Sequence, residues 1–307
     1  ICAILIVFDR ASASCLSRIQ ASIFTGDQTG GLVNAAIRER ESEVLVFGSS
    51  VARHHVDCEL LARETGLTCY NVGCDGQNIL YARIVEDLLL QQGCQSKYFI
   101  FVVNWNDLFF DDVARVKMLN SFRDRSPAAA QILDSGDRWN RIKCLSHLYH
   151  YNGLAISILR HRLAPDEEGV RGYVAMENDY VELEAETMQM QHDLQLPLDS
   201  ETIEMAEGKL ALYDGFVRAA KERGIQVVFV VSPTFRDGIE KSKREEFAQR
   251  RIQEIAEQRD AVFLQIDEST HDEFADKRMF ADRRHLNRTG SQRFTTTLAA
   301  ELAKLTP

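Results

Sequence analysis

The stretch Val44-Leu45-Val46-Phe47-Gly48-Ser49-Ser50 decides how this chain reads. Four apolar residues, mostly β-branched or aromatic, run without a polar break into a glycine and two serines. A short continuous apolar run of this kind predicts a strand buried on both faces, as in a parallel sheet. The glycine and serines then end the strand and turn the chain. Ser50 therefore falls at the carboxyl end of a parallel strand, the edge on which open α/β sheets assemble their sites. It is the candidate nucleophile against which the other motifs are weighed.

Outward from this strand the pattern alternates. Asp57 predicts the N-cap of a helix over Cys58–Thr65, which Gly66 stops. Residues 67–72 predict a second strand, followed by the loop Gly73-Cys74-Asp75-Gly76 and a helix over about 78–92. Residues 98–103 are apolar throughout and predict a third strand, ended by Asn104-Trp105-Asn106-Asp107. After a long interruption the rhythm returns with a helix over 201–223, a strand over 225–231, a charged helix over 239–259 and a strand over 261–266. Thr289 is the expected cap of a closing helix that ends near Lys304. Alternating strands and helices imply parallel pairing with right-handed crossovers. The expected fold is α/β: a three-layer α/β/α sandwich around a flavodoxin-like parallel sheet of about five strands, spanning residues 41–305.

Residues 108–200 are too long for a connection within such a unit and read as a largely helical insertion near the site edge. Helical patches are expected at Ala128–Leu133 and Ile142–Leu163, then an acidic, strand-poor part over Asp166–Asp199. Trp105, Trp139, Tyr149 and Tyr151 are either a sugar-stacking wall or ordinary packing, of which packing is the commoner use.

Residues 1–40 read as a separate N-terminal segment, anchor and linker; from residue 9 on to 43 the pattern is mixed helix and loop, with a short helix over 32–40. The opening run Ile1 to Phe8 is apolar and Asp9-Arg10 follows at once. Eight residues fall short of the ~20 that span a bilayer. The run is either the exit end of a membrane anchor helix or a strand or helix packed on the domain. The adjoining charged pair favours the anchor, and with it a periplasmic or cell-surface location.

Composition narrows the classes further. With 36 Lys and Arg against 46 Asp and Glu the chain is acidic, net −10, which argues against a nucleic-acid partner. Seven cysteines with no CxxC pair indicate neither a zinc site nor a disulfide framework. Cys58, Cys69 and Cys94 sit in apolar or helical contexts and read as buried thiols. No metal or cofactor is expected. His54-His55 has no further ligand at zinc spacing and reads as the start of a helix or the rim of a pocket. Gly73–Gly76 lacks both GxGxxG and a Walker lysine, so it is no phosphate loop. Cys74 has no base spaced near it, and Asp75 beside it would disfavour a thiolate. Asp107 either binds a cation or caps the next segment, and capping is the commoner role.

Four loops remain, after strands one, two, three and five, and a doubly wound sheet opens all four onto one edge. They carry Ser50, Gly76, Asn106, and Asp282 with His285. A serine hydroxyl needs a base to take its proton, and a histidine oriented by a carboxylate supplies one. Three residues of separation in Asp282-Arg283-Arg284-His285 let both side chains face one way on a turn. Backbone N–H groups at Ser50 and Gly76, with the Asn106 amide, are the candidate oxyanion donors.

This set resembles the SGNH/GDSL hydrolase family. The first block is Gly48-Ser49-Ser50, with Ser49 where the family usually has Asp, a variant similar to that of envelope and exopolysaccharide-acylating bacterial relatives. The second, Asn71-Val72-Gly73-Cys74-Asp75-Gly76, is similar to Asn-x-Gly-x-Ser-Gly with Asp75 in place of Ser. The third has Asn104 where the family's Gly-x-Asn-Asp has glycine. The fourth matches Asp-x-x-His as Asp282 and His285. The resemblance covers about residues 44–107 and 225–305. It implies a serine esterase or O-acyltransferase with Ser50, His285 and Asp282 catalytic. The acyl group would be acetyl and the partner a small acyl ester or an envelope or extracellular polysaccharide. The alternative is a binding or assembly module of a polysaccharide complex on the same fold, with little turnover.

Overall fold

The computed structural model describes residues 2–110, 113–166 and 169–305. The chain runs α1 (Cys2–Ala21), α2 (Gly31–Arg38), β1 (Val44–Phe47), α3 (Ser50–His55), α4 (Cys58–Thr65), β2 (Cys69–Asn71), α5 (Ile79–Gln91) and β3 (Tyr98–Val103). It continues with α6 (Pro127–Ser135), α7 (Asn140–Lys143), α8 (Ala155–Leu163), α9 (Glu184–Gln195) and α10 (Ser200–Lys221). It closes with β4 (Gln226–Val231), α11 (Lys243–Arg259), β5 (Val262–Gln265) and α12 (Arg288–Ala303). The chain sorts into two compact units, one of residues 1–40, 80–94 and 111–168, the other of 41–79, 95–110 and 169–307. The stretch 108–200 is thus shared between the two units.

The second unit holds one five-stranded sheet, order β2-β1-β3-β4-β5, all parallel. This is the flavodoxin-like order of an α/β fold. Side chains alternate across it. Val44, Val46, Ile100, Val102, Val228 and Val230 pack on one face under α3, α4 and α12. Phe47, Phe99, Phe101 and Phe229 point the other way and meet Tyr213 and Phe216 of α10, with ring centroids 4.9–6.0 Å apart. α11 packs beside α10 on β4 and β5. Helices therefore cover both faces, which is why β1, β3 and β4 read as unbroken apolar runs.

Several boundaries differ from expectation for identifiable reasons. The second strand is only Cys69–Asn71, because the Thr68 N–H and hydroxyl are taken by the Glu43 carboxylate. Asn287, not Thr289, caps α12, its side-chain oxygen accepting the Gly290 N–H at 3.1 Å. Gly290 itself is forced: a Cβ there would sit 2.0 Å from the Met279 carbonyl oxygen. The acidic part of 166–199 contains α9, and residues 170–181 form a strap through backbone bonds. Arg171 O accepts from Asn71 N (2.9 Å), Val174 N donates to Arg53 O (3.1 Å), Met176 O accepts from Arg288 N (2.8 Å), and Val181 N donates to Ala281 O (2.8 Å).

The first unit is helical. Helix over 2–21, turns and loop over 22–30 and a second helix over 31–38 make the stretch from 9 to 43 mixed helix and loop, as expected. The expected helix 142–163 is broken into α7, a 3₁₀ turn His147–Tyr151 and α8. The break has a cause: the Asp9 carboxylate of α1 accepts from Ser146 Oγ and from the N–H groups of His147 (2.8 Å) and Leu148 (3.0 Å). Asp87 of α5 likewise accepts from Ser126 Oγ and from Ala128 N at the start of α6. Of the opening apolar run, Ile1 lies outside the described residues; Cys2–Phe8 is helical and exposed. Among the described residues no helix is long and apolar enough to cross a membrane. Of the four candidate stacking aromatics, Trp105 belongs to the second unit and the other three to the first. Trp139 is exposed and Tyr151 buried.

Candidate functional site

Ser50 opens α3, directly after Ser49, whose hydroxyl accepts the Val51 N–H and caps the helix. The turn from β1 into α3 needs Gly48: its φ is +144°, and a Cβ would lie 2.8 Å from Ala52 Cβ and 2.9 Å from Val102 O. Asn71, at the end of β2, ties this turn to the next loop. Its amide donates to Ala52 O (2.7 Å) and Val56 O (3.1 Å), and its oxygen accepts from Gly73 N (3.0 Å). Cys74 N donates to Gly48 O at 3.1 Å. Gly76, at φ +67°, turns the end of that loop. Asn106 sits in a 3₁₀ turn after β3, where the Asn104 side chain accepts its N–H. Asp107 in the same turn is buried against Tyr213, whose hydroxyl burial and the carboxylate push to a high pKa.

The fourth loop is a tight hairpin closed by Ala281 N to His285 O at 2.8 Å. Asp282 Oδ1 accepts from Arg284 N and His285 N, each at 2.8 Å, which fixes the turn that Asp-x-x-His spacing predicts. His285 Nδ1 lies 3.0 Å from Asp282 Oδ2, and His285 Nε2 lies 2.9 Å from Ser50 Oγ. A carboxylate can only accept, so Nδ1 carries the hydrogen and Nε2 offers a lone pair to the Ser50 hydroxyl. Burial opposes ionisation of Asp282, but hydrogen bonding and the charge of His285 outweigh it and hold the carboxyl below its ordinary pKa.

Around this core are residues that motif spacing did not reveal. Arg283 is buried in the same loop; it donates to Glu182 and Thr187 and to the carbonyls of Phe235 and Arg236, anchoring the hairpin. His54 and His55 do not begin a helix; they end α3 and take opposite roles. The His54 ring lies edge-on to His285 at 5.5 Å; its Nδ1 donates to Val174 O (2.7 Å) and its Nε2 is 3.6 Å from Asp75. Burial disfavours its charge, but Asp75 and the carbonyl prevail and raise its pKa. Asp75, also 3.2 Å from Arg53, is correspondingly lowered against the opposing effect of burial. Asp75 thus supplies the counter-charge for a histidine beside the site.

His55 is fully buried. Leu286 N donates to its Nε2 at 2.8 Å, so Nδ1 carries the hydrogen and faces Ser232 Oγ. Burial, then the charges of His285 and His54, push its pKa well below the ordinary value near 6.5. The unfolded chain therefore takes up a proton below about pH 6.5 that the folded chain refuses. Stability is full above that pH and falls as pH drops, by at most ~1.4 kcal/mol per pH unit. His54 has the opposite sign: its contribution is present below pH 6.5 and lost as pH rises through its raised value. In urea unfolding from pH 7.5 to 5, a His55→Gln variant is expected to be less stable at pH 7.5 and to lose less stability towards acid than the parent. An identical acid slope in both would refute this account.

Beside Val51 and the ends of β3 and β4 a cavity of about 80 Å³ opens, lined in part by Asn104, Asn106, Ser232, Thr234 and Arg284. Its far wall is the buried ion pair of Arg236 with Glu245. Among the described residues no cluster of three or more His, Cys, Asp or Glu is arranged to hold a metal. Comparison of the chain with family models, with curated proteins and with solved structures finds no match.

Proposed function

We propose that this chain is a serine-dependent ester hydrolase or O-acyltransferase of SGNH type, working through an acyl-enzyme on Ser50. The observation that carries the reading is the Ser50 Oγ to His285 Nε2 distance of 2.9 Å, with Asp282 hydrogen-bonded behind the imidazole. In the first half-reaction Ser50 Oγ forms a bond to the ester carbonyl carbon while His285 Nε2 takes the hydroxyl proton. Asp282 holds the imidazole and stabilises its cation. The carbonyl oxygen, now an anion, is received by the Ser50 and Gly76 N–H groups and the Asn106 amide. The C–O bond to the alcohol breaks, and His285 returns the proton to the leaving oxygen. In the second half a water or a sugar hydroxyl gives its proton to His285 and attacks the acyl carbon; the bond from that carbon to Ser50 Oγ breaks, and His285 returns the proton to Ser50 Oγ.

An acetyl group as the acyl carried on Ser50 rests on the resemblance of the four blocks to that family, and the cavity beside Val51 and Asn106 is the candidate space for it. A polysaccharide of the envelope or cell exterior as acyl donor or acceptor, and a location outside the cytoplasm, rest on the resemblance of Gly48-Ser49-Ser50 to acylating members of that family. A fluorophosphonate probe is expected to label the protein stoichiometrically, and Ser50→Ala is expected to remove the label with the melting temperature held. Absence of labelling in the folded parent protein would instead favour a binding module. Turnover of p-nitrophenyl acetate that rises when an oligosaccharide acceptor is added would identify transfer over hydrolysis.

A further inference from the structure

The charge of this chain is unevenly spread. From Arg138 to Pro165 it contains five Lys and Arg and no Asp or Glu, although the whole chain is net −10. This stretch holds α7 and α8 of the first unit. Lys143 pairs with Asp137, but Arg138, Arg141, Arg160 and Arg162 are exposed and make no ion pair among the described residues.

The same stretch is apolar on its outside. In α8, Ile158 and His161 face inward, while Ile156, Leu159 and Leu163 stand at i, i+3 and i+7 and are 82%, 47% and 87% exposed. That spacing makes one continuous stripe on the side of the helix opposite its buried face. Around α7, Trp139, Ile142 and Leu145 are half or more exposed. The start of α1 joins them. Helix α1 packs against α8 and the His147–Tyr151 turn, and its Asp9 carboxylate caps the turn immediately after Leu145. The exposed run Ile4–Phe8 therefore lies one turn of helix from that junction.

We propose that this face of the first unit, made of the start of α1, α7 and α8, docks on a lipid surface bearing anionic headgroups. Two observations select lipid over a protein partner. Ile4, Leu5, Ile6, Val7 and Phe8 are five consecutive helical positions, each 60–73% exposed, so this helix is apolar all round. A protein partner covers one stripe, whereas acyl chains surround a helix on every side. The arginine fringe selects negative charge, and it opposes pairing with a second copy, since a two-fold contact would bring arginines against arginines. The indole of Trp139, with Arg138 over its ring, has the amphipathic character of an interfacial residue.

The test is flotation of the full chain with vesicles of phosphatidylcholine alone or mixed with phosphatidylglycerol. Partition onto the anionic vesicles is expected to be stronger by roughly tenfold or more and to weaken with salt. Arg160→Glu with Arg162→Glu is expected to remove that preference. Ile156→Ser, Leu159→Ser and Leu163→Ser together are expected to abolish binding, with mass in solution and melting temperature unchanged, since all three side chains are exposed. Equal partition onto both vesicle types, or binding by either variant equal to that of the parent, would overturn the proposal. So would a parent dimer that the serine substitutions dissociate, which would assign the face to a second copy.

Discussion

His285→Ala is expected to lower p-nitrophenyl acetate turnover and the rate of fluorophosphonate labelling by roughly 10⁴–10⁶-fold, the largest functional loss of any single substitution beside Ser50→Ala. The magnitude follows from geometry. A serine hydroxyl is almost never ionised at neutral pH, and among the described residues His285 Nε2, at 2.9 Å, is the base in hydrogen-bond reach of Ser50 Oγ. Donors that receive an oxyanion still lower the barrier when the base is gone, so a residue of activity above background remains. The fold should survive. The hairpin is held by Ala281 N to His285 O, by Asp282 Oδ1 and by His55 accepting from Leu286 N, none of which uses the His285 ring. A loss smaller than tenfold with native melting would mean another group takes the proton, and the proposed mechanism would fall.

Asn71→Ala is expected to cost about 3–5 kcal/mol of stability, read as a lower urea midpoint at an unchanged m-value. Asn71 is 2% exposed, and its side chain satisfies Ala52 O, Val56 O and Gly73 N. Alanine removes all three bonds and admits no replacement in a site closed to solvent. A buried backbone group left without its partner costs about 1–3 kcal/mol. The functional loss should exceed what unfolding explains. The same three bonds fix the end of α3, which begins at Ser50, against the loop that carries Gly76. A destabilisation under ~1 kcal/mol would show that these carbonyls find other donors.

How much of this was legible depended on how local the cause was. β1, β3 and β4 announced themselves as unbroken apolar runs because both faces of the sheet are covered. The Asp282–His285 turn was legible because its hydrogen bonds close within three residues. Asn287 was equally local and was passed over for Thr289, although asparagine is the better cap. By contrast, the break between α7 and α8 is made by Asp9, 137 residues away from Ser146, and no periodicity carries that information. The pairing of His54 with Asp75 was invisible for the same reason.

The strap over residues 170–181 has an evolutionary consequence. Its links to Asn71 and Arg53 include main-chain to main-chain bonds, and those to Arg288 and Ala281 add the Glu177 and Asn178 side chains to main-chain bonds. The main-chain links place few demands on side chains, but three positions are constrained: Gly172, where a Cβ would sit 2.0 Å from Asn71 O, buried Tyr173, whose hydroxyl accepts from Ser291, and Tyr180, whose ring packs edge-on against Phe235. Those links place strict demands on the segment's length, since one residue added or removed shifts every later partner out of register. Across distant relatives this segment should drift in spelling outside Gly172, Tyr173 and Tyr180 while keeping its count. Residue-by-residue comparison would then score as unrelated a piece of chain whose architectural duty is unchanged.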